Sequence, residues 1–413
     1  MSEQRLDLSS NRTFANGFPH AYFTWLRDNH PVFWHEPTPA TPDGEGFWVV
    51  SRHADVQAIQ NDPVTFSSQT GGHRTMGGTA INDHPSAGKA LNATDDPKHQ
   101  MLRGVVMKGF TLHAVAALEA ELRRRITGMI DVFPEDAPFD FVAGFAREAP
   151  LQAICMVLGV PQADRGRLCE WVDAGVSSAS AEIIAPQYAQ KLVDYGMTLV
   201  EEKRRQPRDD ILSAIVHARP DQAGGRPLSD AELRNFFLLL FAAGSETTRS
   251  AIAGGVKALI EHPDQLALLR ADRAPMKTAI EEIVRWTTPS IYKRRTASID
   301  TSLHGHAIRA GDKVTFWEMS ANRDERVFDR PFAFDITRSP NLHLGFGYGV
   351  HVCLGSMLAR MEMRVALEEL LRRIEHIESA GEVDWMPSNR LLGIRGMPVR
   401  IKFKQRQKMG ATA

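Results

Sequence analysis

The sequence predicts a mainly α-helical protein with a smaller β part, folded as a single large domain. The chain has 413 residues, of which 43% are hydrophobic, enough to bury a sizeable core. Apolar residues recur at helical spacing from about Pro97 to Leu269, and shorter strand-like runs lie on either side. Because no shift in composition marks a linker, one domain over residues 1–413 is expected.

Strands are expected in three β-rich portions of the chain. These portions lie at about residues 30–70, 290–320 and 385–405. The first contains the apolar run Gly46–Ser51, and the last contains the alternating run Pro398–Phe403. Between the first strands and the helices, the stretch Ser68–Asp95 is rich in Gly, Ser, Thr and Asn and predicts a long loop. Long loops in compact domains are often functional.

Helices are expected at about residues 97–290 and 354–376, with proline-rich breaks inside the first portion. One helix should be long. Ser229 and Glu232 form a capping box before an apolar run, and His262-Pro263 is the next stop signal. At about 1.5 Å per residue this helix would span roughly 50 Å, enough to cross a domain.

Composition and charge exclude several classes of protein. The formal net charge of -1 argues against a general nucleic-acid-binding surface. The three cysteines form neither a disulfide framework nor a zinc-binding pattern, and they suit a reducing cytoplasm. The N-terminus lacks the basic and apolar regions of a secretion signal, and no apolar run is long enough to cross a bilayer. We therefore expect a cytoplasmic protein without a membrane span.

The centre of the long helix has an unusual composition. Gly244, Glu246 and Thr247 interrupt an otherwise apolar stretch. Glycine costs about 1 kcal/mol in a helix interior, and threonine tends to bond back to a carbonyl of the preceding turn. Two interpretations remain: a widened helix that lines a pocket, or a kink with a solvated acidic face.

The most informative segment is Phe346–Gly355, which contains Cys353 and ends where an amphipathic helix is expected to begin. A sulfur at a helix N-terminus faces unpaired N–H groups, which favour the thiolate that a metal needs. Glycines allow the backbone to approach a flat ligand closely. The alternative for a lone cysteine is a structural role in a glycine-rich turn.

Phe346, Gly349, His351, Cys353 and Gly355 resemble the haem-binding loop of the cytochrome P450 family. The resemblance implies the cytochrome P450 fold over nearly the whole chain. It also implies haem b, with Cys353 as the axial ligand of the iron and Phe346 and Gly355 beside the cofactor. Haem iron held by thiolate favours O–O cleavage.

The resemblance extends to the long helix and to a Glu-x-x-Arg pattern. Gly244, Glu246 and Thr247 match the oxygen-activation motif, in which Thr247 would hold dioxygen and water and Glu246 would relay protons. Glu282 and Arg285 match a buried structural brace under the haem. Its third member would be Arg323 or Arg338, and the sequence does not decide between them.

Basic residues are expected to bind the haem propionates. The segment Asp96–Arg103 resembles the start of a family helix, with His99 and Arg103 four residues apart on one face. The resemblance adds His351 and a second group of cations, Ser290–Thr296, in which Arg295 matches the propionate ligand. The alternative for Lys293 and Arg294 in that group is an ordinary basic strand.

The resemblance also implies a substrate pocket, an activity and partners. The pocket residues would be mostly apolar, which suits a small-to-medium hydrophobic substrate of terpenoid, steroid, fatty or natural-product type. They are Leu239, Ala243, Ser290, Ile291 and Leu392. The activity would be that of a monooxygenase using O2 and electrons from a ferredoxin and an NAD(P)H-dependent ferredoxin reductase. An oxidative-coupling or peroxide-driven enzyme and a non-catalytic haem binder are the alternatives.

A docking surface for the electron donor is expected on the cysteine side of the protein. Its candidate residues are Arg103, Lys108, Arg360 and Arg364. The net charge is close to zero, so attraction to an acidic ferredoxin would need local positive charge.

Overall fold

The structure is a computed structural model, and it describes residues 5–178, 185–220, 224–271 and 275–404. Helices dominate these residues, and a smaller set of strands forms several sheets. The helices are α1 (His20–Asn29), α2 (His53–Asn61), α3 (Lys98–Met107), α4 (Leu112–Asp131), α5 (Glu148–Val157), α6 (Arg165–Ser178), α7 (Pro186–Arg205), α8 (Ile211–Val216), α9 (Asp230–Glu261), α10 (Pro263–Ala271), α11 (Met276–Thr287), α12 (Glu318–Ala321) and α13 (Ser356–Arg373).

The strands are short. They are β1 (Val32–His35), β2 (Phe47–Val50), β3 (Phe66–Ser67), β4 (Phe139–Asp140), β5 (Lys293–Ala297), β6 (Thr301–Leu303), β7 (His306–Ile308), β8 (Lys313–Phe316), β9 (Ile374–Ser379), β10 (Asp384–Trp385), β11 (Ile394–Gly396) and β12 (Pro398–Phe403). The largest sheet has the order β1-β2-β8-β5-β3. A second sheet has the order β4-β12-β9, and β6-β7 and β10-β11 are two-stranded.

The sheets join distant parts of the chain. In the five-stranded sheet β2 pairs with β8 in parallel, whereas the other neighbours are antiparallel. In the second sheet β12 pairs with β4 and with β9. The N-terminal strands are therefore completed only by residues more than 200 positions later in the chain.

The prediction of a mainly helical domain with a smaller β part is confirmed, but several boundaries differ. The β-rich portions also contain the helices α2 and α12, and β4 lies inside the portion expected to be helical. The last helix ends at Arg373, and β9 follows at once instead of a helix to residue 376. The positions of β4 and β9 follow from their pairing with β12. Such pairing can turn a short segment into a strand even when the segment carries no strong strand pattern of its own.

The long helix α9 is central to the fold. The predicted capping box at its start is present, with the Ser229 and Glu232 side chains each accepting a backbone N–H, and the helix ends at Glu261 before His262-Pro263. Among the described residues α9 contacts α5, α7, α11 and α13. Its buried apolar residues belong to the largest hydrophobic core, so its position is fixed along its length.

The loop between β3 and α3 covers one side of the domain. The predicted loop Ser68–Asp95 contains a short 3-10 turn at Leu91–Ala93 and an isolated β-bridge between Gly77 and His84. The 3-10 turn contacts α9, so this loop reaches the central helix.

In the described ranges, no single helix is long and apolar enough to cross a membrane. Taken together, α3 and α4 have the length and composition of a membrane span, but the chain bends by 48° between them.

Candidate active site

Cys353 lies in a loop shaped by two glycines. Gly347 and Gly349 have φ values of 74° and 68°, a conformation that favours glycine. At Gly349 an added Cβ would lie 2.5 Å from the Gln60 carbonyl oxygen, so α2 packs tightly against this loop. The Cys353 N–H donates to the Phe346 carbonyl at 2.8 Å, which closes the turn.

The helix after the cysteine begins later than predicted. α13 starts at Ser356 with Gly355 as its N-cap, so Cys353 precedes the first helical turn by three residues. Burial raises the pKa of the Cys353 thiol, whereas the Gly355 N–H and nearby cations lower it. The thiolate form of Cys353 stays a prediction: the Gly355 N–H at the start of the helix favours it, and burial opposes it. The Cys353 side chain is accessible, yet it lies deep in the protein. It therefore faces a space inside the protein and not the outer surface.

The basic residues predicted to hold propionates come together beside this space. The imidazole rings of His99 and His351 lie 4.1 Å apart, centroid to centroid. Burial, followed by the charges of Arg295, His99 and Arg103, lowers the pKa of His351 to about 2. Arg103 also interacts electrostatically with Cys353. We call His99, Arg103, Arg295 and His351 the basic cluster.

Within the part of the chain that the structure describes, the basic cluster has hydrogen-bond donors without an acceptor. Arg295 is 3% exposed, and within the described ranges its guanidinium donates one hydrogen bond, to the Arg294 carbonyl at 3.0 Å. The buried Nε2 of His99 has no hydrogen-bond partner among the described residues. Burial lowers the pKa of Arg295 to about 10, with Glu318 and Asp95 opposing that shift.

These residues fit a flat group with two carboxylates and an iron. Buried guanidinium and imidazole donors suit carboxylates, and an accessible cysteine sulfur suits the metal. At Gly355 an added Cβ would meet no protein atom within 4 Å, so protein contacts do not require glycine there. A ligand that passes close to the backbone would require it.

Ser68 is a member of the site that the sequence did not reveal. Its hydroxyl lies 2.9 Å from Nε2 of His351, and its backbone N–H donates to the Asp95 carboxylate at 2.8 Å. Ser67 also donates to Asp95. The Ser68–Asp95 loop thus fixes one ring of the basic cluster, a contact that no local sequence pattern indicates.

One face of α9 is accessible in the middle of the molecule. Leu239, Ala243 and Thr247 recur at intervals of four residues and are half-buried or exposed, whereas most of their neighbours are buried. The Thr247 hydroxyl donates to the Ala243 carbonyl at 3.1 Å. This stripe presents two apolar side chains and one hydroxyl on the accessible face of α9.

Gly244 and Glu246 lie away from that stripe. At Gly244 an added Cβ would lie 2.9 Å from Cδ1 of Ile154, so the glycine permits the close approach of α5. This packing explains the glycine on structural grounds, and its part in the oxygen-activation motif stays a prediction. Glu246 is buried, and one of its oxygens lies 3.4 Å from the Arg249 guanidinium.

The other predicted pocket residues are not all accessible. Ile291 is fully buried, and Leu392 is 9% exposed; both belong to a second hydrophobic core cluster. A bridge between Ser290 and Leu391 joins the two segments that carry these residues. Ile291 and Leu392 thus pack in the core, Ser290 is half-buried, and their part in a substrate pocket stays a prediction.

Glu282 and Arg285 form a buried ion pair with Oε1 and Nη2 2.7 Å apart. Of the two candidates for a third arginine, Arg338 contacts Glu282, at 3.1 Å. Arg323 instead donates to the carbonyls of Arg285 and Trp286. We call Glu282, Arg285 and Arg338 the brace.

The expected docking cations are engaged within the protein. Arg360 pairs with Glu281 at 2.7 Å and lies over the Phe346 ring at 4.3 Å. Arg364 pairs with Glu119 at 2.5 Å. Arg103 belongs to the basic cluster, and the Lys108 side chain lies outside the described residues. Arg360 and Arg364 therefore carry ion pairs within the protein, and the docking surface stays a prediction.

Comparisons with known proteins agree with this geometry. A family model described as Cytochrome P450 matches residues 184–404. The putative cytochrome P450 126 of Mycobacterium tuberculosis is 50% identical over 403 residues, covering 96% of this chain and 97% of the relative. The methyl-branched lipid omega-hydroxylase of Mycobacterium tuberculosis is 39% identical over 398 residues, covering 91% and 90%. The Mycobacterium marinum cytochrome P450 CYP268A2, solved in complex with pseudoionone, aligns with a TM-score of 0.86 at 35% identity, covering 97% and 100%.

Proposed function

Since the chain belongs to the cytochrome P450 family, whose members are haem-containing monooxygenases, we propose that it oxidises a small-to-medium hydrophobic substrate with O2. The observation that carries the proposal is the accessible Cys353 sulfur beside a buried basic cluster with unsatisfied donors. That combination suits a haem with an iron and two propionates and is not needed for a structural turn.

The proposed cofactor contacts follow from the chain's own groups. Cys353 holds the iron, and the basic cluster binds the propionates through its unsatisfied donors. When bound, haem with a thiolate ligand supplies the chemistry of O–O cleavage and C–H oxidation. The packing of α2 against Gly349 keeps the cysteine loop in place, so the sulfur is positioned before the cofactor arrives.

On the other side of the site, Thr247 is proposed to position dioxygen and water. Its hydroxyl donates to the Ala243 carbonyl, and a hydroxyl can turn to donate to a different acceptor. Glu246 is proposed to supply protons from the buried side of α9, where Arg249 lies 3.4 Å away. The Glu246 carboxyl group and the Thr247 hydroxyl, which are neighbours in the chain, would thus both take part in proton delivery.

The substrate is proposed to be of terpenoid, steroid, fatty or natural-product type. Leu239 and Ala243 offer an apolar wall, and Ser290 offers one hydroxyl. The similarity to a protein named as a methyl-branched lipid omega-hydroxylase supports a lipid-like molecule. A screen of such compounds for the spin-state change of the ferric iron tests this part of the proposal.

Electrons are proposed to come from a ferredoxin and an NAD(P)H-dependent ferredoxin reductase, as the resemblance implies. A cytoplasmic location stays a prediction. Product analysis with NADH, ferredoxin, reductase and a compound from the screen tests the activity. Incorporation of one oxygen atom supports the proposal, whereas coupled products without oxygen insertion would favour oxidative coupling.

A spectroscopic measurement tests the cofactor site independently of substrate. The reduced protein with carbon monoxide should absorb at the red-shifted position typical of thiolate ligation, and Cys353→His should lose that position. Cys155→Ala is the matched control, since Cys155 is a buried core residue. If Cys353→His keeps the thiolate spectrum, the assignment of the ligand is wrong.

A further inference from the structure

Two basic residues of β5 share one face of the strand. Side chains alternate along a strand, so Lys293 and Arg295 point to one side and Arg294 to the other. Arg294 is fully buried and pairs with Asp83 at 2.6 Å. Lys293 therefore lies on the side of the basic cluster, although its sequence context favours an ordinary basic strand.

Lys293 is held by a buried carboxylate. Its Nζ donates to Oε2 of Glu318 at 2.6 Å, and Gln60 donates to the other oxygen at 3.1 Å. Glu318 is 1% exposed, whereas the Lys293 side chain is 33% exposed. Burial raises the pKa of Glu318, and the charges of Lys293 and Arg295 oppose that shift. The carboxylate is thus shared by two cations on the same strand face.

The same carboxylate lies against the cysteine loop. An added Cβ at Gly347 would lie 3.9 Å from Oε1 of Glu318 and 3.7 Å from Oε1 of Gln60. Lys293 also acts on the Cys353 sulfur through its charge. Gln60, Glu318 and Lys293 therefore form a chain of polar groups from the underside of the cysteine loop to the basic cluster.

We propose that Lys293 is an additional basic group facing the cofactor's carboxylates and that Glu318 is its positioning residue, so that this pair sets the local charge beside the redox centre. The proposal rests on the proposed function and adds to it a control of the reduction potential. Lys293 supplies one positive charge. Glu318 holds the lysine in place and offsets that charge.

The two residues should shift the reduction potential in opposite directions. Reduction of ferric to ferrous iron adds one electron, and a nearby positive charge favours it while a negative charge opposes it. Lys293→Gln should lower the ferrous-to-ferric equilibrium constant about three- to tenfold, and Glu318→Gln should raise it by a similar factor. A tenfold change corresponds to about 59 mV for one electron.

The experiment is a spectroelectrochemical titration of the purified haem-loaded protein, together with the rate of haem transfer to apomyoglobin. The variants are Lys293→Gln, Glu318→Gln and the double variant, which restores the wild-type net charge. The control is Lys313→Gln, since Lys313 is a lysine of the same sheet that pairs with Asp43 and Glu45 instead of Glu318. We expect opposite shifts for the single variants, near-cancellation in the double variant, and no shift for Lys313→Gln. Haem transfer should be faster in Lys293→Gln.

Shifts of the same sign for both single variants, or no shift in a folded variant, would overturn the inference. If Glu318→Gln gives no folded protein, Lys293→Arg and Lys293→Gln decide the matter. The arginine must keep the wild-type potential within about twofold in the equilibrium constant, and the glutamine must lower it. A wild-type protein that takes up no haem contradicts the proposed function itself. A normal thiolate spectrum with unshifted variants contradicts only the role of this pair.

Discussion

The brace and the basic cluster are both buried groups of charged side chains, and they differ in where their hydrogen bonds end. In the brace, Arg285 donates to Glu282 and to the carbonyls of Asn322, Pro331 and Ala333. In the basic cluster, Arg295 donates to one carbonyl among the described residues, and Nε2 of His99 donates to none. The first group is satisfied by the chain, whereas the second keeps donors for a partner.

This difference separates scaffold from binding site by physical means. Removing one member of a satisfied buried pair leaves an uncompensated charge, so the brace should be needed for folding. Removing a member of the unsatisfied group takes away a donor that the folded chain does not use. Substitutions in the two regions should therefore affect stability and cofactor binding in different proportions.

The largest effect is expected in the brace. Glu282→Ala leaves Arg285 and Arg338 without their carboxylate and should lower the free energy of unfolding by about 3–5 kcal/mol. Urea unfolding followed by circular dichroism measures this. The control is Asp384→Ala, which breaks an exposed pair with Arg395 and should cost less than about 1 kcal/mol. An unchanged midpoint for Glu282→Ala would remove the distinction between the two regions.

Arg295→Met sharpens the comparison from the other side. Hydrogen bonds to charged groups contribute about 1.5–3 kcal/mol, so haem loss should become roughly 10–100 times faster. The unfolding free energy of the haem-free protein should stay the same or rise, because a poorly paired buried cation is removed.

The neighbouring residue provides the matched control for that experiment. Arg294→Met breaks the buried pair with Asp83 and should reduce stability by about 1.5–3 kcal/mol, since Arg74 still pairs with that carboxylate. Because Arg294 points to the opposite side of β5, its loss should change the rate of haem release much less. Equal effects of the two arginines on both measurements would show that charge satisfaction does not distinguish them.

Thr247→Ala tests whether the accessible face of α9 behaves like the basic cluster. The lost hydrogen bond to Ala243 should cost no more than about 1 kcal/mol of stability. The share of NADH consumption that yields product should fall several-fold, with hydrogen peroxide accounting for the difference. Thr198→Ala is the control, since its hydroxyl makes the same kind of bond, to Asp194. Unchanged coupling would make Thr247 a structural residue.

A modest effect that depends on pH is expected at Glu281, which joins α11 to α13. Burial raises its pKa, but hydrogen bonds from Arg360 and His343 outweigh burial and lower it to about 2. Because this value lies below the unfolded value of 4.5, the stabilisation is full above about pH 4.5 and is lost as the pH falls towards 2. The wild type should exceed Glu281→Gln by about 1–2 kcal/mol at pH 6, after solvent screening, and by less at pH 3.

Thermal unfolding across this pH range measures the difference between wild type and variant. The control is Glu135→Gln at an exposed position after α4, which should give a constant difference close to zero. A gap between wild type and Glu281→Gln that widens as the pH falls would contradict a depressed carboxyl pKa at Glu281.

The sequence predicted features that depend on local spacing. The capping box located the start of α9, and the four-residue interval between His99 and Arg103 placed both on one helix face. The Glu-x-x-Arg pattern likewise requires only the helical repeat, and its ion pair is present. In each case the interacting groups lie within one or two helical turns, so the pattern contains the geometry.

Features that depend on tertiary pairing were missed. The core position of Ile291 depends on the segment around Leu391, which bridges to Ser290. The position of Ser68 depends on its contact with His351, 283 residues later. The choice between Arg323 and Arg338 required knowledge of which backbone carbonyls surround each guanidinium. Lys293 is an exception. It lies two residues from Arg295, and because side chains alternate along a strand, this interval alone could have placed both residues on one face.

The contact between Ser68 and His351 has a consequence for synthesis of the chain. At about 5–20 residues per second, roughly 15–60 s pass between the emergence of these two residues from the ribosome. During that interval β2 lacks its parallel neighbour β8, and the Ser68–Asp95 loop lacks its contact with His351. The nascent N-terminal third therefore waits with an unpaired strand edge, the kind of surface that molecular chaperones protect. If Cys353 and His351 hold the cofactor as proposed, it can be captured only near the end of translation.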